Sequence, residues 1–166
     1  HPVDDPAIIN GDFNQSILED GTASGDLDAT DIDGLTDGSY YSISDHPVNG
    51  IAAIDLIDGN WSYTPHPHFF GDDNFTISLT DDLNQSYFEM IEVFVHPVDD
   101  PAIIIGDFNQ SILEDGIALG DINATDIDGM TDGSYYAISS HPLHGNATID
   151  PIDGNWSYIP HPHFFG

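Results

Sequence analysis

Residues 96–166 repeat residues 1–71 without a gap, and 57 of the 71 aligned positions are identical. The period is 95 residues, far longer than one turn of a solenoid, so the repeating unit is a domain with a core of its own. A first repeat fills 1–95. A second, 96–166, contains no counterpart of residues 72–95 and is expected to lack its last two strands. Because the chain begins inside a repeat, it reads as part of a longer protein.

Within one copy, short apolar stretches are separated by Gly, Asp, Asn and Pro, the pattern of an all-β sandwich. Strands are predicted at 7–9, 14–18, 23–29, 40–44, 51–55, 61–64, 74–80 and 87–95. Phe75, Ile77 and Leu79 alternate with polar residues, and Trp61 and Tyr63 point the same way, so these five form the predicted core. The stretch 87–95 is apolar on both faces, with Ile91, Val93 and Val95 on one and Phe88, Met90 and Phe94 on the other. It reads as a central strand with one aromatic face in water, with burial of both faces against a neighbour as the alternative. No segment of useful length has helical periodicity, although residues 17–20 could make a single turn.

The chain has 30 acidic residues and neither lysine nor arginine, a formal charge of −30. Such self-repulsion opposes a compact state unless cations compensate it, and it makes nucleic acid and anionic membranes poor partners. The acids are 26 Asp and 4 Glu, a bias that suits turns and hard-cation loops. Without cysteine there is neither disulfide nor thiolate metal site. No apolar run nears the roughly 18 residues of a membrane-spanning helix. Nor is there a nucleophile elbow, and the duplication of the acidic groups points to structure, so no enzyme is expected. The His-Pro-His loop at His66 and His68 reads as solvent-facing or packed on Phe69, with a shared metal as the minor alternative.

Three acidic groups recur in both copies: Glu19-Asp20-Gly with Glu114-Asp115-Gly; Asp31-Ile-Asp33-Gly with Asp126-Ile-Asp128-Gly; and the proline-bracketed pairs Asp4-Asp5 and Asp99-Asp100. Asp72-Asp73 and Asp81-Asp82 add two more in the first copy. On an extended chain the two carboxylates of Asp-x-Asp fall on one side, about 6.5–7 Å apart. Calcium takes 6–8 oxygens in flexible geometry, so carboxylates gathered from loops and a linker suit it.

The order Glu-Asp-Gly, Ala-Thr-Asp-Ile-Asp-Gly, Gly-Asn-Trp-Ser-Tyr-Thr-Pro, Phe-Phe-Gly-Asp-Asp-Asn-Phe-Thr, Thr-Asp-Asp and Val-His-Pro-Val-Asp-Asp-Pro-Ala resembles the cadherin-like tandem repeats of giant surface and adhesion proteins. The resemblance implies tandem immunoglobulin-like Greek-key sandwiches with calcium at each junction. It assigns Glu19, Asp99, Asp100, Asp126 and Asp128 to the joint at 96–101, with Asp72, Asp73 or Asp81 as additions. Asp31 and Asp33 would serve the preceding joint with Asp4 and Asp5, and Glu114 would repeat the role of Glu19. The linker carries Asp-Asp where such linkers commonly have Asn-Asp, and no Leu-Asp-Arg-Glu motif is present.

Eight of the ten asparagines stand in Asn-x-Ser/Thr: Asn14, Asn60, Asn74, Asn84, Asn109, Asn123, Asn146 and Asn155. Asn123 and Asn146 are not copies of earlier sites, so duplication alone does not explain the count. The pattern points to N-linked glycans and export. The reading is a calcium-stiffened stalk of an extracellular, cell-surface or secreted fibre protein, partnered by neighbouring repeats. A filament of identical subunits joined by strand donation is the alternative.

Overall fold

The computed structural model describes residues 5–32, 34–35, 40–130 and 135–166. The chain separates into two compact units, His1–Val98 and Asp99–Gly166. Among the described residues there is no helix; none therefore is long and apolar enough to cross a membrane.

The first unit contains β1 (Ile8–Gly11), β2 (Asn14–Leu18), β3 (Ala23–Gly25), β4 (Leu27–Thr30), β5 (Tyr41–Asp45), β6 (Gly50–Ile54), β7 (Trp61–Pro65), β8 (Gly71–Thr80) and β9 (Ser86–His96). One sheet has the order β2-β9-β8-β5; β3-β7-β6 and the pair β1-β4 make the facing strands. The layers meet through aromatics. Phe75 of β8 meets Trp61 in a T-shaped contact at 5.6 Å and stacks with Tyr63 at 6.4 Å between ring centres. Around them Ile77, Leu79, Ile91, Val93 and Val95 are buried, one face of each strand as the alternation requires.

The predicted strand at 23–29 divides at Asp26. Its first part pairs with β7 and its second with β1, so the chain crosses from one pairing to another. Gly25 permits this: a Cβ there would stand 2.7 Å from the Trp61 indole. β9 lies between β2, which it meets in parallel, and β8. Its outer face leaves Phe88, Met90 and Phe94 in water.

The second unit has β10 (Ile103–Gly106), β11 (Ala118–Thr125), β12 (Gly145–Ile149) and β13 (Asn155–Pro160) in one sheet, ordered β10-β11-β13-β12. Residues 109–113 spell the same Asn-Gln-Ser-Ile-Leu as β2, yet they form no strand. The reason is non-local. β2 is hydrogen-bonded along its length to β9, and residues 96–166 contain no counterpart of β9. The stretch corresponding to β5 likewise has no β8 to pair with and is irregular where described. Trp156 and Tyr158 are consequently half-buried, whereas Trp61 and Tyr63 are 2% and 0% exposed.

This difference predicts unequal costs for one substitution made in the two copies. Trp61→Ala should destabilise the first unit by about 3–5 kcal/mol, the range for a fully buried aromatic. Trp156→Ala should cost well under half as much. Denaturant unfolding of the two variants, followed by backbone circular dichroism against the unsubstituted chain, measures both.

Candidate metal centre

β2 and β9 run in parallel until Leu18 stands opposite His96, and the chain then turns. The Glu19 N–H donates to the His96 carbonyl at 2.8 Å, and Gly21 N–H closes the turn on the Leu18 carbonyl at 3.1 Å. Glu19 is thereby drawn inward to 6% exposure. Its Oε1 accepts the N–H of Val98. Its Oε2 is buried and accepts no hydrogen bond from the protein. Buried carboxylate oxygens normally have partners, so this position fits a cation.

Beside it, Asp20 Oδ1 accepts the His68 N–H at 3.4 Å and holds His68 at φ 60°. A carboxylate oxygen of Glu19 and a ring nitrogen of His68 lie within 4.8 Å of one another. The His-Pro-His loop therefore meets the Glu-Asp-Gly turn, a juxtaposition the sequence reading missed. The available signal was that both motifs are identical in the two copies. Asp115 and His163 repeat the backbone contact at 3.2 Å, but there Glu114 is exposed.

In the second unit, Asp99 is exposed and Asp100 half-buried. Asp128 Oδ2 accepts the Asp100 N–H at 2.6 Å, and Asp126 Oδ1 accepts the Asp128 N–H at 2.9 Å. The expectation of an extended Asp-x-Asp pair is corrected here. β11 ends at Thr125, and the motif bends because a short carboxylate captures the N–H two residues on, the Asx-turn geometry. All these groups offer oxygen, the donor set that suits calcium.

Asp4 and Asp33 lie outside the described residues. Asp5 is exposed, and Asp31 Oδ1 accepts the Gly34 N–H at 3.3 Å. Asp81, at the end of β8 remote from the linker, is 2% exposed. Its Oδ1 accepts the N–H groups of Leu83 and Gln85 at 2.9 and 2.8 Å, while its buried Oδ2 has no hydrogen-bond partner. Asp81 thus combines a turn-forming oxygen with one available to a cation.

Asp72 is exposed and Asp73 buried. Asp73 Oδ1 accepts from Val48 N–H at 3.2 Å and Asn74 N–H at 3.0 Å. Its Oδ2 accepts from Asn49 N–H at 2.8 Å and the Tyr63 hydroxyl at 2.9 Å. Four donors take the roughly four acceptor positions a carboxylate has, which leaves Asp73 a structural role. All eight sequon asparagines are exposed.

Burial and then the Asp73 carboxylate push the Tyr63 hydroxyl well above its ordinary pKa. A raised folded-state pKa gives stability that is fully present below the unfolded value, about 10, and that declines as pH rises beyond it. Tyr63→Phe should cost about 1.5–3 kcal/mol at neutral pH, the range for a hydrogen bond to a charged group. The variant should also lose part of the steep alkaline unfolding; urea titrations at pH 7 and above pH 10 measure both.

The chain matches the family model described as Bacterial Ig domain over residues 4–91, more than half its length. No curated protein matches it. Among solved structures, the extracellular cadherin domains 3–6 of protocadherin gamma B2 superpose with a TM-score of 0.56 at 13% identity, covering 96% of this chain and 40% of that one. Domains 1–6 of the surface layer protein SbsC give a TM-score of 0.41 at 14% identity, covering 96% of this chain and 21% of that one. The chain thus spans less than half of either structure. At such identity the cadherin likeness bears on fold, and it agrees with the all-β, cadherin- and Ig-like repeat described above. With its family model matched across the first repeat, the chain belongs to the bacterial Ig domain family.

Proposed function

We propose that this chain is a stretch of an extracellular spacer whose repeats are stiffened by calcium at the linker between them. The observation that carries this reading is Glu19, a buried carboxylate with one oxygen on the linker amide of Val98 and the other without a hydrogen bond. Within the second unit, Asp128 holds the amide of Asp100. Val98 and Asp100 are two residues apart in the chain, and each amide is held by a carboxylate of its own unit. Asp99, Asp126 and Glu19 are the further ligands proposed here. As a second ligand group we propose Asp5 and Asp31 together with Asp4 and Asp33, with Asp81 as a separate buried carboxylate open to a cation. Asp73 is omitted from the ligand set because its acceptor positions are used.

Bound calcium supplies positive charge and nothing else. The residues do the remainder: they orient oxygens, hold the linker amides, and lose mutual repulsion when the ion is present. The eight exposed sequons support the proposal that the surface carries N-linked glycans, which belongs with export. Near-identical repeats suit a spacer better than a binding tip.

Extracellular calcium modules bind at about 0.1–1 mM. A tenfold excess over Kd contributes about 1.4 kcal/mol, or a rise of about 6–11 °C in the Tm of a unit of this size. Chelation should reverse that shift and broaden the small-angle scattering profile. Asp100→Ala should abolish more of the calcium-dependent stiffening than Asp58→Ala, a substitution at an exposed turn. Scattering and melting that are indifferent to both calcium and chelator would refute the proposal.

One observation favours the second reading, a filament joined by strand donation. Ile112, Leu113, Trp156, Tyr158 and Phe164 line an open groove of about 410 Å³ on the second unit. A β-strand from an identical subunit is a chemically suitable occupant. Native mass with and without calcium separates the two readings, because concentration-dependent oligomers that persist in chelator are expected only of the filament.

A further inference from the structure

The contact between the Glu-Asp-Gly turn and the His-Pro-His loop brings a nitrogen ligand to a carboxylate. Calcium is a hard cation that takes oxygen, whereas imidazole suits zinc, copper and nickel. We propose that Glu19 and His68 form the core of a site for a borderline divalent cation of the zinc class, an activity the calcium reading does not require. The two assignments share Glu19, but this one stands without the other.

Three observations carry it. Glu19 is 6% exposed and its Oε2 lacks a hydrogen-bond partner, so a negative charge sits in a desolvated place where a cation stabilises it. A His68 ring nitrogen lies within 4.8 Å of that carboxylate. Two atoms bound to one tetrahedral zinc stand about 3.3 Å apart, given bonds of about 2.0–2.2 Å, a separation inside that bound. Third, the loop is fixed. The Asp20 carboxylate holds the His68 amide, and the backbone there adopts the left-handed conformation at φ 60°, which His tolerates better than most residues. Water completes the remaining coordination.

The second copy supplies an internal control. His163 repeats the loop conformation and the amide contact through Asp115, but Glu114 beside it is exposed. His163 should therefore not form an equivalent site, although its local sequence is the same.

Isothermal titration of the whole chain with zinc chloride, and separately with calcium chloride, tests the assignment. His68→Gln should weaken the tightest zinc event by at least about tenfold, since even outer-sphere losses reach that scale. Glu19→Gln should weaken it comparably, His163→Gln should leave it unchanged, and calcium binding should survive in His68→Gln. His68 is exposed, so its variant is expected to fold, and its near-ultraviolet spectrum checks this. Zinc binding that is undetectable, equal in wild type and His68→Gln, or weakened as much by His163→Gln overturns the proposal. Absence of calcium binding with the zinc pattern intact would overturn the calcium joint alone.

Discussion

The pairing of β8 with β9 is the interaction on which the first unit depends. Ten residues of β8 run against β9 from Gly71–Val95 to Thr80–Ser86. The hairpin then gives β2 a parallel partner on one side and β5 an antiparallel one on the other. Its inner face supplies Phe75, Ile77, Leu79, Ile91, Val93 and Val95 to the core. Each backbone group satisfied along the hairpin is one that need not remain hydrated, so burial of the apolar face and completion of the ladder come together.

The duplicated sequence separates local from non-local effects within one molecule. Asp55 Oδ1 accepts the N–H groups of Ile57 and Asp58, and Asp150 Oδ1 does the same for Ile152 and Asp153. These bonds hold both carboxyls below their ordinary pKa. Such turns span four residues and form in both copies. β2 requires a partner some eighty residues away and forms only in the first. Identical words therefore become a strand in one place and an exposed irregular segment in the other, as long-range pairing overrides propensity.

The same side chain does three different jobs in this acidic protein. Asp73 is buried with every acceptor position filled and ties the Val48–Asn49 backbone to Tyr63. Asp55 and Asp150 organise exposed turns. Glu19 and Asp81 are buried with one oxygen engaged and the other lacking a hydrogen bond, and it is this third state that invites a cation. Nothing in an Asp or Glu letter distinguishes the three. Asp72 and Asp73 are adjacent, yet one faces water and the other faces the core, because alternation along β8 sends them to opposite sides.

Strand positions, the aromatic core and the two-sided character of β9 were legible in the sequence, since alternation and turn residues record which side of a sheet each residue occupies. Trp61, Tyr63, Phe75, Ile77 and Leu79 were identifiable on that ground alone. The break at Asp26 was not, because it depends on Gly25 meeting an indole 36 residues downstream. Nor was the bend of Asp126–Asp128, where a capped turn replaces the extended pair, nor the approach of His68 to Glu19. Duplication, acid richness and all-β character follow from the letters alone, because composition and period are local properties of the chain. Which carboxylates are satisfied, which are half-satisfied and which copy of β2 forms depend on the folded arrangement, because each of those outcomes requires a partner distant in the chain.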